Sequence, residues 1–526
     1  MIERAIENWL TKTNERNFKI PFCQALAHQG HTMVYVSSDR PMEQGKDLIT
    51  TNASGTTCAY QLKTGDIGLN RWRTEVRPEI EELIQISIVH PNIDKTKPYN
   101  SFVVLNGSIS DEVRIQIAQM NEDNVTRRRG DSHLEVIEMP ELLKTVKDAQ
   151  GNFVPHKLSD FKSFLELFLA PGKDQLDKAK FLSFLNNTLF SEIPRQKSEA
   201  LNAISSSVIL TAYAMSEFQQ EKNHFALFEA WTALAASMVR FSERAKLDAR
   251  EWRGSLDLAR LGIAQSLDAL EDEALAKPIW IEGFALGDGG DTLRARTTLV
   301  LGALAARALD RYEAIENGPV DRNVLDLIQK RQQHLWIWGE SAFPSFFMIV
   351  KFLEAIGEDT TALAVLKTFL EGVLDRNHLR KDNSLPSPYY SAVQVLEKNL
   401  SLTHEPDGKE NSGSSFTLKP LISALARRNQ RAFLAKNWRR ISHIRFREFL
   451  VDAPEDWFLW HNDTGTNQSR FPIQTKSWTE LSTQSGLEKD SCPKLLVAHR
   501  SLVRAFMLIA PHRINDSVIS YLDAGH

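Results

Sequence analysis

Cysteine is scarce: 526 residues contain only Cys23, Cys58 and Cys492. They stand far apart, with no CxxC pair and no Cys/His cluster. That excludes a disulfide framework and a thiolate zinc site, and it points to a reduced, cytoplasmic setting. Long apolar runs are missing as well. The most apolar stretches, Leu299–Leu309 and Phe343–Leu353, fall short of the ~20 residues of a membrane span and read as buried helices. The opening MIERAIENWLTKTNER is charged and lacks the apolar core of a signal peptide, so a soluble protein with no membrane partner is expected. A net charge of −4 gives no global attraction for polyanions, so any nucleic-acid surface must be local. No glycine-rich phosphate loop, HExxH run or Ser-His-Asp order occurs.

What is present is an ordinary globular balance, 42% apolar and 25% charged, over a length that suits roughly two to four domains. Residues 1–150 alternate helical and β-like runs. The spacing of Phe18, Phe22, Ala25 and Leu26 predicts a helix over 13–29, closed by Gly30. His31–Val36 reads as a strand. Lys46–Thr51 and Thr56–Lys63 form a hairpin around Asn52-Ala53-Ser54-Gly55. A helix over Val76–Ile88, a strand at Phe102–Leu105, a helix from Asp111 to Met120, a strand at Leu134–Ile137 and a helix over Pro140–Val146 follow. The order α-β-β-β-α-β-α-β-α predicts an α/β domain, a mixed sheet flanked by helices.

Over 157–402 the texture becomes helical, with amphipathic patterns at Lys178–Leu189, Ser198–Gln219, His224–Lys246, Glu251–Glu271, Thr292–Ala314, Val320–Gly339 and Thr360–Leu374. Small and aromatic residues recur in blocks like those of antiparallel, tetratricopeptide-like helix pairs, although no strict period fits and an irregular helical domain is the alternative. The Pro/Gly/Ser-rich residues 403–415 read as a linker before a third, helical and partly basic region, 416–526. Residues 411–447 hold nine Lys or Arg and no Asp or Glu, with Phe433, Trp438 and Phe446 interleaved. Such a stretch, Arg439 and Arg440 included, suits a nucleic-acid backbone, or equally an acidic face of a partner or of the chain's own helices.

The hairpin carries the chemistry. Alternation along a strand puts Gln61 and Lys63 on one face, and folding about Asn52–Gly55 sets Asp47 opposite Tyr60 or Gln61. Phosphodiester hydrolysis needs a hard cation, oxygen ligands to hold it and a positive group near the phosphate. Asp47, the Gln61 side-chain carbonyl and the Leu62 main-chain carbonyl are the expected metal ligands, and Lys63 is the expected cation. One firm carboxylate implies weak binding of Mg²⁺ or Mn²⁺, with several waters kept on the metal. His31, His90 and His133 lie scattered at strand ends and loops and read as surface or capping residues. Thr64 and Asp66 read as loop residues.

The run PMEQGKDLITTNASGTTCAYQLKTGDI resembles the core of the PD-(D/E)xK nuclease superfamily, of the Mrr-like restriction endonuclease type, in which Gln often replaces the acidic residue of the last triplet. The later SFVVLNG and LEVIEMPELL follow in that family's order. The resemblance implies a restriction-endonuclease-like fold and a Mg- or Mn-dependent endonuclease acting on DNA. Asp47, Gln61 and Lys63 would be its site, with a further carboxylate from the first helix at Glu15 or, less directly, at Glu43. Arg127, Arg128 and Arg129 are candidate phosphate contacts in the same domain. A nuclease fused to a helical region resembles bacterial defence effectors, the helices docking a protein partner or self-associating. RNA cleavage by the same site, or a non-catalytic nucleic-acid or protein scaffold, remain open alternatives.

Overall fold

The computed structural model describes residues 13–37, 45–88, 98–126, 133–150, 164–190, 196–276, 290–314, 320–377, 384–399, 413–459, 466–470, 477–480 and 492–523, apart from a few residues inside or outside these runs. Glu43 and Arg127–Arg129 lie outside the described residues. By packing, the chain divides into two compact units, Met1–Gln265 and Ser266–His526.

The first unit begins with helix α1, Glu15–His28, then strands β1, Thr32–Val36, β2, Leu48–Thr51, and β3, Thr57–Lys63. Helix α2 is a composite of Leu69–Arg71, a π-turn at Trp72–Val76 and Arg77–Gln85. Then come β4, Tyr99–Leu105, α3, Asp111–Thr126, β5, Leu134–Ile137, and α4, Met139–Gln150. The five strands form one mixed sheet in the order β1-β2-β3-β4-β5, antiparallel up to β3 and parallel from β3 to β5.

The element order is the one expected, with two extensions. Helix α2 starts at Leu69 because Trp72 and Val76 continue the buried stripe of Ile80 and Leu83 one and two turns upstream. Strand β4 starts at Tyr99 because Ser101 is buried among the strands despite its polarity. Those α2 side chains pack with Ile49, Ala59, Val103, Leu105, Val113 and Ile117 on one side of the sheet. Opposite them, Phe22 of α1 meets Tyr60 edge-on at 5.6 Å, and Tyr60 stacks on Phe102 at 4.8 Å. Helix Lys197–Ala214 packs against both α1 and α4, so the helical texture joins the sheet within this unit.

The second unit is mostly helical. Gly290–Ala314 packs on Phe343–Ala355, which packs on Asp359–Arg376. The helix expected over Val320–Gly339 runs only from Arg322 to Arg331. Beyond a short 3-10 turn the chain opens out, and Trp336 donates its amide to Thr298 Oγ1 at 2.9 Å while Trp338 Nε1 reaches Ser341 Oγ at 2.8 Å. The basic stretch is not wholly helical either. Helices Leu418–Arg427 and Arg431–Ile441 give way to a strand, Arg445–Leu450, in a three-stranded sheet with Ser414–Ser415 and Thr466–Arg470. Phe446 and Phe449 are buried there, which no helical reading of the segment anticipated.

Glu340 ties this small sheet to the helices. Its buried carboxylate accepts from the Ser415 hydroxyl, from the Phe416 amide at 2.8 Å and from Thr417 Oγ1 at 3.4 Å. Burial pushes the carboxyl up from its ordinary 4.5 to about 7, against the opposing pull of those donors. A folded value above the unfolded one means the stability contributed is complete below 4.5 and is lost as pH rises through about 7. Thermal unfolding of the full chain should therefore weaken between about pH 5 and about pH 8 by roughly 3 kcal/mol from this group. Glu340→Gln should flatten that dependence; an unaltered slope would contradict the assignment.

Candidate active site

The strand pairing decides which side chains meet. Leu48 lies opposite Tyr60 and Ile49 opposite Ala59, and Asp47, one residue before this ladder, carries a charge felt by Glu15 at the start of α1. The turn between the strands is pinned by Asn52, whose Oδ1 accepts from the amides of Ser54 and Thr56 at 3.1 and 2.8 Å. Asp47 donates its own amide to Tyr60 O at 2.9 Å, and its Oδ2 accepts the Leu62 amide at 2.7 Å. The carboxylate is thus locked to the strand that carries Gln61 and Lys63. All three side chains are buried, Asp47 to 9%, Gln61 to 6% and Lys63 to 8% exposure.

Lys63 Nζ lies 2.6 Å from Glu79 Oε2 and 3.9 Å from Glu15 Oε1. The same Glu79 oxygen accepts Gln61 Nε2 at 3.0 Å. This leaves the Gln61 carbonyl oxygen, Oε1, buried without a hydrogen bond among the described residues. Burial raises the pKa of Glu15; Lys63 lowers it, and the neighbouring charges of Asp47 and Glu79 raise it again. Glu15 therefore shares one electrostatic site with both other carboxylates and the lysine. One turn further along α1, the buried Lys19 donates to Ser37 Oγ at 2.8 Å, at the end of β1.

Two backbone devices hold the surrounding pieces. Gly45 adopts φ +70°, and a Cβ there would stand 2.7 Å from Glu79 O and 2.9 Å from Leu83 N, so this glycine lets α2 close onto the start of β2. Lys46 adds a longer contact, Nζ to Glu82 O at 3.4 Å. Asn106, at the end of β4, donates to Leu10 O and Thr13 O at 2.5 and 2.8 Å and accepts the Gly65 amide at 2.7 Å. It clamps the entry to α1, and with it Glu15, to the loop after Lys63.

The sequence reading missed Glu79 and Asn106. Glu79 is one of three glutamates in RPEIEEL, and only the packing of Gly45 singles it out. Asn106 precedes a glycine and so reads as a plain turn. Asp66 is a loop residue as expected, accepting the Ser108 amide and hydroxyl at 2.8 and 2.9 Å. His31 Nδ1 pairs with Thr50 Oγ1 at 2.9 Å.

No family model, no curated protein and no solved structure matches this chain.

Among the described residues, no three His, Cys, Asp or Glu side chains converge closely enough to cage a metal by themselves. The donors at hand are an anchored Asp47 carboxylate, the unpartnered Gln61 oxygen and nearby main-chain carbonyls. Such a set fits a hard cation that keeps most of its water and is poor for a fully protein-ligated one.

In the second unit, the basic stretch meets acids of that unit. Lys419 reaches Asp516 at 2.9 Å, Arg427 reaches Asp523 at 2.6 Å, and Arg428 bridges Glu354 and Asp523. Arg440 pairs with Asp375, whereas Arg439 is exposed.

Asn106→Ala should remove its buried hydrogen bonds to the Leu10 and Thr13 carbonyls and the partner of the Gly65 amide. The expected loss is about 2–4 kcal/mol of stability in denaturant unfolding. A loss below roughly 0.5 kcal/mol would show that the clamp is dispensable.

Proposed function

We propose that this protein is a divalent-metal-dependent endonuclease that hydrolyses DNA phosphodiester bonds, with the sheet-bearing unit as its catalytic part. The observation that carries the reading is the buried Gln61 Oε1, without a hydrogen bond among the described residues, on the strand that holds the Asp47 carboxylate through its Leu62 amide and ends at Lys63. A buried oxygen without a donor costs stability unless a positive group reaches it. Mg²⁺ or Mn²⁺ is the group that this oxygen and the Asp47 carboxylate suit, with the Leu62 main-chain carbonyl as a third donor and Glu15 nearby. When bound, the cation supplies Lewis acidity at a phosphoryl oxygen and makes water a better nucleophile.

The chain's own residues do the rest. Asp47 keeps one orientation because the Leu62 amide holds its Oδ2. Lys63 brings a positive charge to a site with little water, where it offsets negative charge developing on phosphate more strongly than in solvent. Its carboxylate partners hold that ammonium in place until substrate phosphate competes for it. A restriction-endonuclease-like fold agrees with the strand order and with the position of the triplet. The helical remainder is the natural place for a docking or self-association surface that restrains the nuclease, as a role in defence against invading DNA requires.

The test is cleavage of plasmid DNA and of RNA by the full chain with Mg²⁺, with Mn²⁺ and with EDTA. Plasmid nicking that needs the metal is expected, falling at least about a hundredfold in Asp47→Ala and in Lys63→Ala. Cleavage of RNA alone would keep the site and change the substrate. Cleavage that survives either substitution would place the chemistry elsewhere.

A further inference from the structure

We infer that Glu79 is a positioning residue that turns the Gln61 amide so that its carbonyl oxygen faces the cation. The inference rests on the metal-dependent reading given above. Glutamine offers one acceptor atom and one donor group at the end of the same flexible side chain, and only the acceptor can ligate a metal. Left alone, the amide has two orientations of similar energy, one of which turns its N–H₂ toward the cation. An ionised carboxylate only accepts, so the contact of Glu79 Oε2 with Gln61 at 3.0 Å requires the nitrogen to be on the Glu79 side. The oxygen then has to point the other way, where it is buried with no hydrogen bond among the described residues.

Glu79 is itself held. Its Oε2 is drawn to Lys63 Nζ at 2.6 Å, and its backbone carbonyl lies against Gly45, two residues before Asp47. The chain that presents the anionic ligand therefore also seats the residue that orients the neutral one. In this way a site with glutamine in place of an acidic residue gains a fixed ligand without a further negative charge. Hydrogen bonds of this kind to metal ligands are worth about ten- to hundredfold in metal affinity.

The experiment is a double-mutant cycle read by Mn²⁺ affinity, from electron paramagnetic resonance or calorimetry on the full chain. Glu79→Ala should weaken Mn²⁺ binding about ten- to hundredfold. The Glu79 side chain is 43% exposed and alanine is a strong helix former, so the fold should survive the change. In the Gln61→Glu background both terminal oxygens are equivalent and nothing remains to be oriented. There the same Glu79→Ala change should cost less than about twofold, or tighten binding by removing a like charge.

A loss of equal size in both backgrounds would overturn the inference, because Glu79 would then act on the metal directly or through folding. No loss in either background would overturn it as well. Asp47→Ala separates this from failure of the underlying reading. If wild type binds no Mn²⁺, or binds it unchanged in Asp47→Ala, the metal site itself is wrong and the inference falls with it. If Asp47→Ala abolishes binding while the cycle shows no coupling, only the role of Glu79 falls.

Discussion

Lys63 ends the third strand with its amine almost out of water, and an ammonium in that position is stable only where anions answer it. Much of the first unit can be understood as the means of bringing those anions in. Glu15 comes from the start of α1 and Glu79 from α2, so one cation gathers two separate segments, while Asp47, on the approach to β2, adds a like charge that Glu15 feels. Each segment has its own anchor. Asn106 fixes the entry to α1, the Leu62 amide fixes the Asp47 carboxylate, and Gly45 admits the backbone of α2 at the beginning of β2. The apolar stripe from Trp72 to Leu83 then seals α2 onto the sheet.

The same crowding gives a reason for glutamine at position 61. Glu15 already feels Asp47 and Glu79 as like charges that raise its pKa. A further carboxylate on β3 would add to that repulsion in a site where the dielectric is low. A neutral oxygen can still serve as a ligand without that cost, provided something orients it. The stability of the folded chain and the proposed chemistry thus depend on one balance of charge around Lys63.

The fold was largely legible in the sequence, because its determinants are local. Alternating strands, an Asn-to-Gly turn and Asp111 at the start of α3 each declare themselves within a few residues, and the hairpin turn alone brings Leu48, next to Asp47, opposite Tyr60, next to Gln61. Glu15 was also within reach, since it opens a helix whose apolar spacing is plain. Glu79 was not, because its role arises from a close approach to Gly45 that no local pattern encodes. In the second unit, the strand Arg445–Leu450 was hidden by its arginines, which made the whole basic stretch look like one surface. The packing instead sets Lys419, Arg427 and Arg428 against Asp516, Asp523 and Glu354. An excess of charge in sequence becomes an internal ion network once distant acids fold against it.

The proposed chemistry requires a cation held between the Asp47 carboxylate and Gln61 Oε1. Crystals of the full chain grown with Mn²⁺ and measured for its anomalous scattering address this directly. The expected result is a single peak about 2 Å from Gln61 Oε1 and from the Asp47 carboxylate. A peak bound only elsewhere, or a Gln61 oxygen still without a partner in saturating Mn²⁺, would contradict it.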